Sequence, residues 1–162
     1  MQVILAKTAG FCYGVARAVK IARHTAAHCG GAMLGSIVHN ANVVSELERA
    51  GMRQIASIEE ATAGETVLIR AHGEKKETLD ALRERGAQIV SAACPNVLRI
   101  EKLVTQAEQE GRKVIIIGEV KHPEVLGIAS WCTEPLIFGS VDELSDYAAA
   151  HADLAAVCIS AL

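Results

Sequence analysis

Apolar positions along this chain follow two alternating periods. Continuous runs of strand length occur at "VILA" (3–6), "AMLGSIV" (32–38), "TVLIR" (66–70), "QIVS" (88–91), "KVIIIG" (113–118), "PLIF" (135–138) and "LAAVCIS" (154–160). Between them apolar residues recur three and four apart, the spacing of one helical face. Val15, Ala18, Val19 and Ala22 form such a stripe in the first gap. Later stripes are Val43, Val44 and Leu47; Leu79 and Leu82; and Val97, Leu98, Ile100, Leu103 and Val104. Three of the predicted helices run into Gly51, Gly86 and Gly111, where a left-handed residue closes a helix. The alternation predicts an α/β fold of small parallel-sheet domains with flanking helices. A new strand–helix series starts after Cys94-Pro95. The expected division is therefore a first domain over 1–96 and a second over 97–162, which ends on its last strand without a closing helix.

Composition sharpens this reading. Hydrophobic residues make up 51% of the 162 positions but aromatics only 3%, so the core is aliphatic, as suits buried parallel strands. A net charge of −3 leaves no basic footprint for nucleic acid. "VILA" is too short for the apolar core of a signal peptide, and no run approaches the length of a membrane span. The expected location is the cytoplasm. Five cysteines, an odd number with no C-x-x-C pair, argue against a disulfide framework, a zinc ribbon or a thioredoxin motif.

The reactive residues have a pattern of their own. Cys12 follows the first strand-like run, His39 the second, His72 the third, Cys94 the fourth, and His122-Pro123-Glu124 the fifth. In open α/β sheets ligands bind beyond the carboxyl ends of the strands. Helix starts also lie there, and their free N–H groups favour anions and thiolates. Pro95 suits the first position of a helix, and Gly10 and Gly14 allow close backbone approach around Cys12. The inferred rim carries two thiols, three imidazoles and one carboxylate. Two thiolates alone do not complete an iron–sulfur or zinc site, which takes three or four ligands. The histidines suit a metal or a diphosphate equally, and the glutamate suits proton transfer. Cys29, Cys132 and Cys158 are read as small buried hydrophobes, and His24, His28 and His151 as surface residues.

The segments "GFCYGVARAV", "VHNANVV", "RAHGE", "AACPNV" and "KHPEVLG" resemble, in this order and at similar spacing, the 4-hydroxy-3-methylbut-2-enyl diphosphate reductase (LytB/IspH) family. The resemblance spans nearly the whole chain but only about the first half of a family member. It implies the first two of three small α/β domains around a central cavity, the second incomplete. Each domain of that family gives one cysteine to a [4Fe-4S] cluster. Carried over, Cys12 and Cys94 are two of the three cluster ligands. His39, His72 and His122 hold the diphosphate or the substrate hydroxyl, and Glu124 delivers the proton that lets the hydroxyl leave as water. The cluster iron without a protein ligand acts as the Lewis acid. Ferredoxin or flavodoxin gives the electrons, and the products are isopentenyl and dimethylallyl diphosphate.

Where the family continues with Gln-Thr-Thr, this chain reads Ala161-Leu162. The expectation is a truncated reductase, inactive alone, lacking the third cysteine and the Ser/Asn diphosphate ligands. The alternatives are a non-catalytic diphosphate-binding fragment, or one part of a split enzyme whose partner chain supplies the missing third domain.

Overall fold

A computed structural model of the chain describes residues 3, 4, 6, 7, 9–151 and 156–160. The helices are α1 (Tyr13–His28), α2 (Ala41–Arg49), α3 (Lys76–Glu84), α4 (Pro95–Gln109), α5 (Pro123–Ala129) and α6 (Val141–Ala150). The strands are β1 (Gly31–Leu34), β2 (Met52–Ile55), β3 (Thr66–Ile69), β4 (Gln88–Ser91), β5 (Lys113–Ile117), β6 (Leu136–Phe138) and β7 (Ala156–Ser160). They form two wholly parallel sheets, in the orders β2-β1-β3-β4 and β6-β5-β7. The α/β architecture expected from the alternation is therefore present.

In the first sheet alternate side chains point to opposite faces, as strand geometry requires. Met33 and Leu68 join Ala18, Val19 and Ala22 of α1 and Val43 and Leu47 of α2 on one side. Ala32, Leu34, Val67 and Ile69 join Leu82 of α3 on the other. Beside the second sheet, Val114 and Ile116 pack with Val104 and Ala107 of α4 and with Val125 and Ile128 of α5. α4 thus starts beside the first sheet and contributes to the core of the second.

Several sequence expectations need correction. Val3, Ile4 and Ala6 lie in no strand, and Val3 and Ile4 are exposed; Leu5 lies outside the described residues. Apolar character alone does not make a strand without a ladder partner. The 32–38 run ends as a strand at Leu34, because Gly35 takes a left-handed φ of +67° and turns the chain. Strand β2 gave no continuous apolar run. It is an edge strand whose central Arg53 and Gln54 face solvent while Met52 and Ile55 are buried. Positions 154 and 155 of the last expected strand lie outside the described residues. Cys29, expected to be buried, is exposed at the end of α1.

On α4, Leu103 was expected to face inward but is 44% exposed, whereas Glu101 is 7% exposed. The reason is geometric: α4 packs against the first sheet's loops and the second sheet's core at once, so its buried surface is no single stripe. Burial pushes the Glu101 carboxyl up to about 7. The folded chain then keeps this proton to about pH 7, while an unfolded chain releases it near 4.5. Folded Glu101 binds more protons across that window, so its contribution to stability is lost as pH rises through it. Urea unfolding at pH 5 and pH 7.5 is expected to show this loss, roughly 1–3 kcal/mol, and Glu101→Gln is expected to abolish it.

Candidate functional site

The strand order places a crevice where the motifs lie. Chain progression reverses direction between β1 and β3, the neighbours at the middle of the first sheet. Such a switch point leaves a crevice beyond the carboxyl ends of the strands. His39 follows β1 and His72 follows β3, so both stand over it, with ring centroids 4.8 Å apart. The loop that carries His72 is tied from both sides: Ala71 N–H donates to Ile37 O at 3.2 Å, and Cys94 N–H donates to Ala71 O at 2.8 Å.

The two thiols enter from helix starts. Cys12 is the residue before α1 and Cys94 the residue before α4, with Pro95 at the first helical position. Neither side chain caps its helix. These two starts pack together. The Tyr13 hydroxyl donates to Asn96 Oδ1 at 2.9 Å, and Arg17 donates to Ala93 O at 3.0 Å. Gly14 sits at the contact, where an added β-carbon would stand 2.6 Å from the Cys94 Sγ. The Tyr13 phenol is pushed up, by desolvation first and then by hydrogen bonding and charge from Cys94 and the charge of Cys12.

Cys12, Cys94, His39, His72 and Glu124 line one cavity of about 740 Å³. Its other walls include Phe11, Val97, Ile100 and Leu103, with Asn40, Asn96 and Arg99 as further polar groups. Arg99 is the only Lys or Arg in that lining among the described residues. His122 is the one sequence-predicted residue outside the lining. It precedes α5, where its Nδ1 accepts from Glu124 N–H at 3.3 Å. It is still near enough for its charge to act on His72.

The electrostatics separate the roles of these groups. Burial is the main force lowering the His72 proton affinity, followed by the charges of His39, Arg70 and His122. Its imidazole is therefore neutral at neutral pH, and its Nδ1 is buried without a protein partner. Burial raises the Glu124 carboxyl, with His122 opposing, so Glu124 keeps its proton to higher pH than an exposed glutamate. The site combines imidazole hydrogen-bonding groups, one cation, one proton-holding acid and two thiols.

Two thiols on one cavity fit part of a cluster-binding set. Among the described residues no group of three His, Cys, Asp or Glu converges as metal ligands do. Cys132 lies in a separate hollow with Glu108, and its thiol is raised by burial and by that carboxylate. The backbone of Cys158 pairs with Ile115 within β7. Cys29 stands beyond the far end of α1. Tyr13, Arg17, Asn96 and Arg99 were not singled out from the sequence. Their proximity to the thiols comes from helix-to-helix approach, which no local spacing encodes.

Gly14→Ala is expected to displace Cys94 and to cost about 1–3 kcal/mol by overpacking. Timed alkylation read by mass spectrometry should show a changed rate at Cys94, with Cys29 unaffected.

The LytB protein family matches residues 3–160. The 4-hydroxy-3-methylbut-2-enyl diphosphate reductase of Nitratiruptor sp. is 36% identical over 145 residues, covering 89% of this chain and 52% of the relative. That of Nitratidesulfovibrio vulgaris is 39% identical over 156 residues, covering 89% and 54%. A solved (E)-4-hydroxy-3-methyl-but-2-enyl diphosphate reductase, the terminal enzyme of the non-mevalonate pathway, superposes with a TM-score of 0.81 at 30% identity, over 98% of this chain and 57% of that one. A Plasmodium falciparum reductase structure gives 0.85 at 22% identity and shows the shared fold alone. The chain spans about half the length of the curated relatives it matches. On this match, over nearly all of its length, the chain belongs to the LytB protein family.

Proposed function

We propose that this chain is the portion of a 4-hydroxy-3-methylbut-2-enyl diphosphate reductase that supplies two cluster thiolates and much of the substrate cavity. One observation carries the reading: residues from four separate sequence motifs, Cys12, His39, His72 and Cys94, meet on one cavity with Glu124 from a fifth. Under this reading the two sheets belong to two small α/β domains, 1–96 and 97–162. The reaction adds two electrons and two protons, one proton leaving with the allylic hydroxyl as water and the other going to the allylic carbon, giving isopentenyl and dimethylallyl diphosphate in the isoprenoid pathway.

Cys12 and Cys94 would hold a [4Fe-4S] cluster, with further ligation from outside the described residues. When bound, that cluster supplies the electrons, received from ferredoxin or flavodoxin, and Lewis acidity toward the hydroxyl. The protein's own groups do the rest. His39 and His72 would donate N–H groups to the diphosphate, and Arg99 would offset its charge across the cavity. His122, with Nδ1 engaged as an acceptor, has Nε2–H left to donate. Glu124, which holds its proton above the usual carboxylate range, would pass it to the departing hydroxyl. The apolar walls of Phe11, Val97, Ile100 and Leu103 would accommodate the five-carbon chain.

A second reading is favoured by the donor count. With two thiols on the cavity, the histidine-lined part can bind a diphosphate without any cluster, so the chain would act as a binding fragment or as one part of a split enzyme completed by a partner chain. Anaerobic reconstitution with iron and sulfide separates the two. A stable brown protein with about four irons, bleached by Cys12→Ser or Cys94→Ser, is expected if a third ligand reaches the site. A colourless protein that still binds inorganic diphosphate, and loses about tenfold in affinity with His72→Ala, would support the binding fragment. Neither cluster nor diphosphate binding would sink both readings.

A further inference from the structure

Glu101 has no place in the reaction just described, yet it is the only ionisable residue buried among the described residues, and Thr25 is the only other buried polar one. Its carboxyl makes no hydrogen bond or ion pair with the described residues. What it touches is the loop after β3. Gly73 there has a φ of +79°, and a β-carbon added to it would stand 3.0 Å from Glu101 Oε1 and 3.1 Å from Val97 Cγ1. The tip of the loop is therefore packed against two α4 side chains one turn apart. The base of the same loop is held by the Ala71 hydrogen bonds to Ile37 and Cys94. His72 lies between these attachments, partly buried, with Nδ1 lacking a protein partner. No hydrogen bond of its own ring to the described residues fixes its position, so its placement is inherited from the backbone on either side.

We propose that Glu101 is a positioning residue for His72: its buried side chain supports Gly73 from behind and sets where the imidazole enters the cavity. A buried acid in that position is unfavourable unless its shape or polarity is used, because an apolar residue of similar volume avoids the desolvation cost. Ordinary core packing would be better served by leucine. The inference rests on the proposed role of His72 in diphosphate binding for its functional meaning, but not for its test.

The test reads the His72 ring directly, by carbon–proton NMR of the full chain with labelled histidine, the peak being assigned through His72→Gln. In Glu101→Ala the His72 cross-peak is expected to move or broaden while those of His24, His28 and His151 stay in place. Glu101→Gln, which keeps length and polarity, is expected to restore it. A folded Glu101→Ala protein with an unmoved His72 peak would overturn the proposal. Should that variant fail to fold, Gly73→Ala drives a methyl group toward Glu101 Oε1. The labelled Glu101 carboxyl signal must then shift together with His72, and an unmoved carboxyl overturns the proposal equally. Inorganic diphosphate titrated into the same samples should bind about tenfold more weakly to Glu101→Ala. Absence of diphosphate binding by the unsubstituted chain would remove the diphosphate reading alone, since the NMR comparison decides the placement of Glu101 by itself.

Discussion

The first turn of α1 rests on the start of α4 with only the Cys94 side chain against Gly14, and this close approach is what brings two distant thiols to one cavity. Cys12 and Cys94 are far apart in the chain, and neither lies within a strand that could fix their relation by register. Their relation is fixed by Gly14 against Cys94, by the Tyr13–Asn96 hydrogen bond and by Arg17 on the Ala93 carbonyl. Any side chain at position 14 would meet the Cys94 Sγ and displace it. The histidines depend on the same contact indirectly, because the Cys94 backbone N–H holds the His72 loop through Ala71.

Both thiols occupy positions where Ser, Thr, Asp or Asn ordinarily caps a helix. The chain does use such caps elsewhere: Asn40 accepts from Val43 N–H, and Ser140 accepts from Glu143 N–H. At α1 and α4 it forgoes them, at a cost of about 1 kcal/mol per helix. Residues that break a local rule in this way are more often explained by chemistry than by stability. Glu101 and the buried Nδ1 of His72 are further exceptions at or just behind the same cavity, although the uncapped Lys75 at the start of α3 and the unpartnered Nε1 of Trp131 lie outside its lining.

How much of this was legible beforehand follows from what each feature depends on. Alternating apolar runs and helical stripes are local, so the α/β architecture and the glycine stops could be read from the sequence. The strand-end positions of His39, His72 and Cys94 could be read because ligand crevices in parallel sheets have a general location. Strand β2 was missed because an edge strand with two polar central residues has no apolar run to detect. The 3–6 run builds no strand at Val3, Ile4 or Ala6, because hydrophobicity alone supplies no ladder partner. Leu103 departs from the apolar stripe, and Glu101 is buried, because α4 faces two neighbours. Arg99 and Asn96 joined the cavity through an angle between helices, which one sequence does not disclose.

α4 joins these parts as a rigid shaft. Its start carries Cys94, its first two turns bear Val97 and Glu101 on the His72 loop, and its later turns place Val104 and Ala107 in the other core. A helix advances about 100° per residue. One residue inserted or deleted between Cys94 and Val104 would swing the thiol end about a quarter-turn out of phase with the core end. A loop that carries no cavity residue is free of this phase constraint. The spacing within this helix is not, so its length acts as a ruler that any working descendant of the chain must keep.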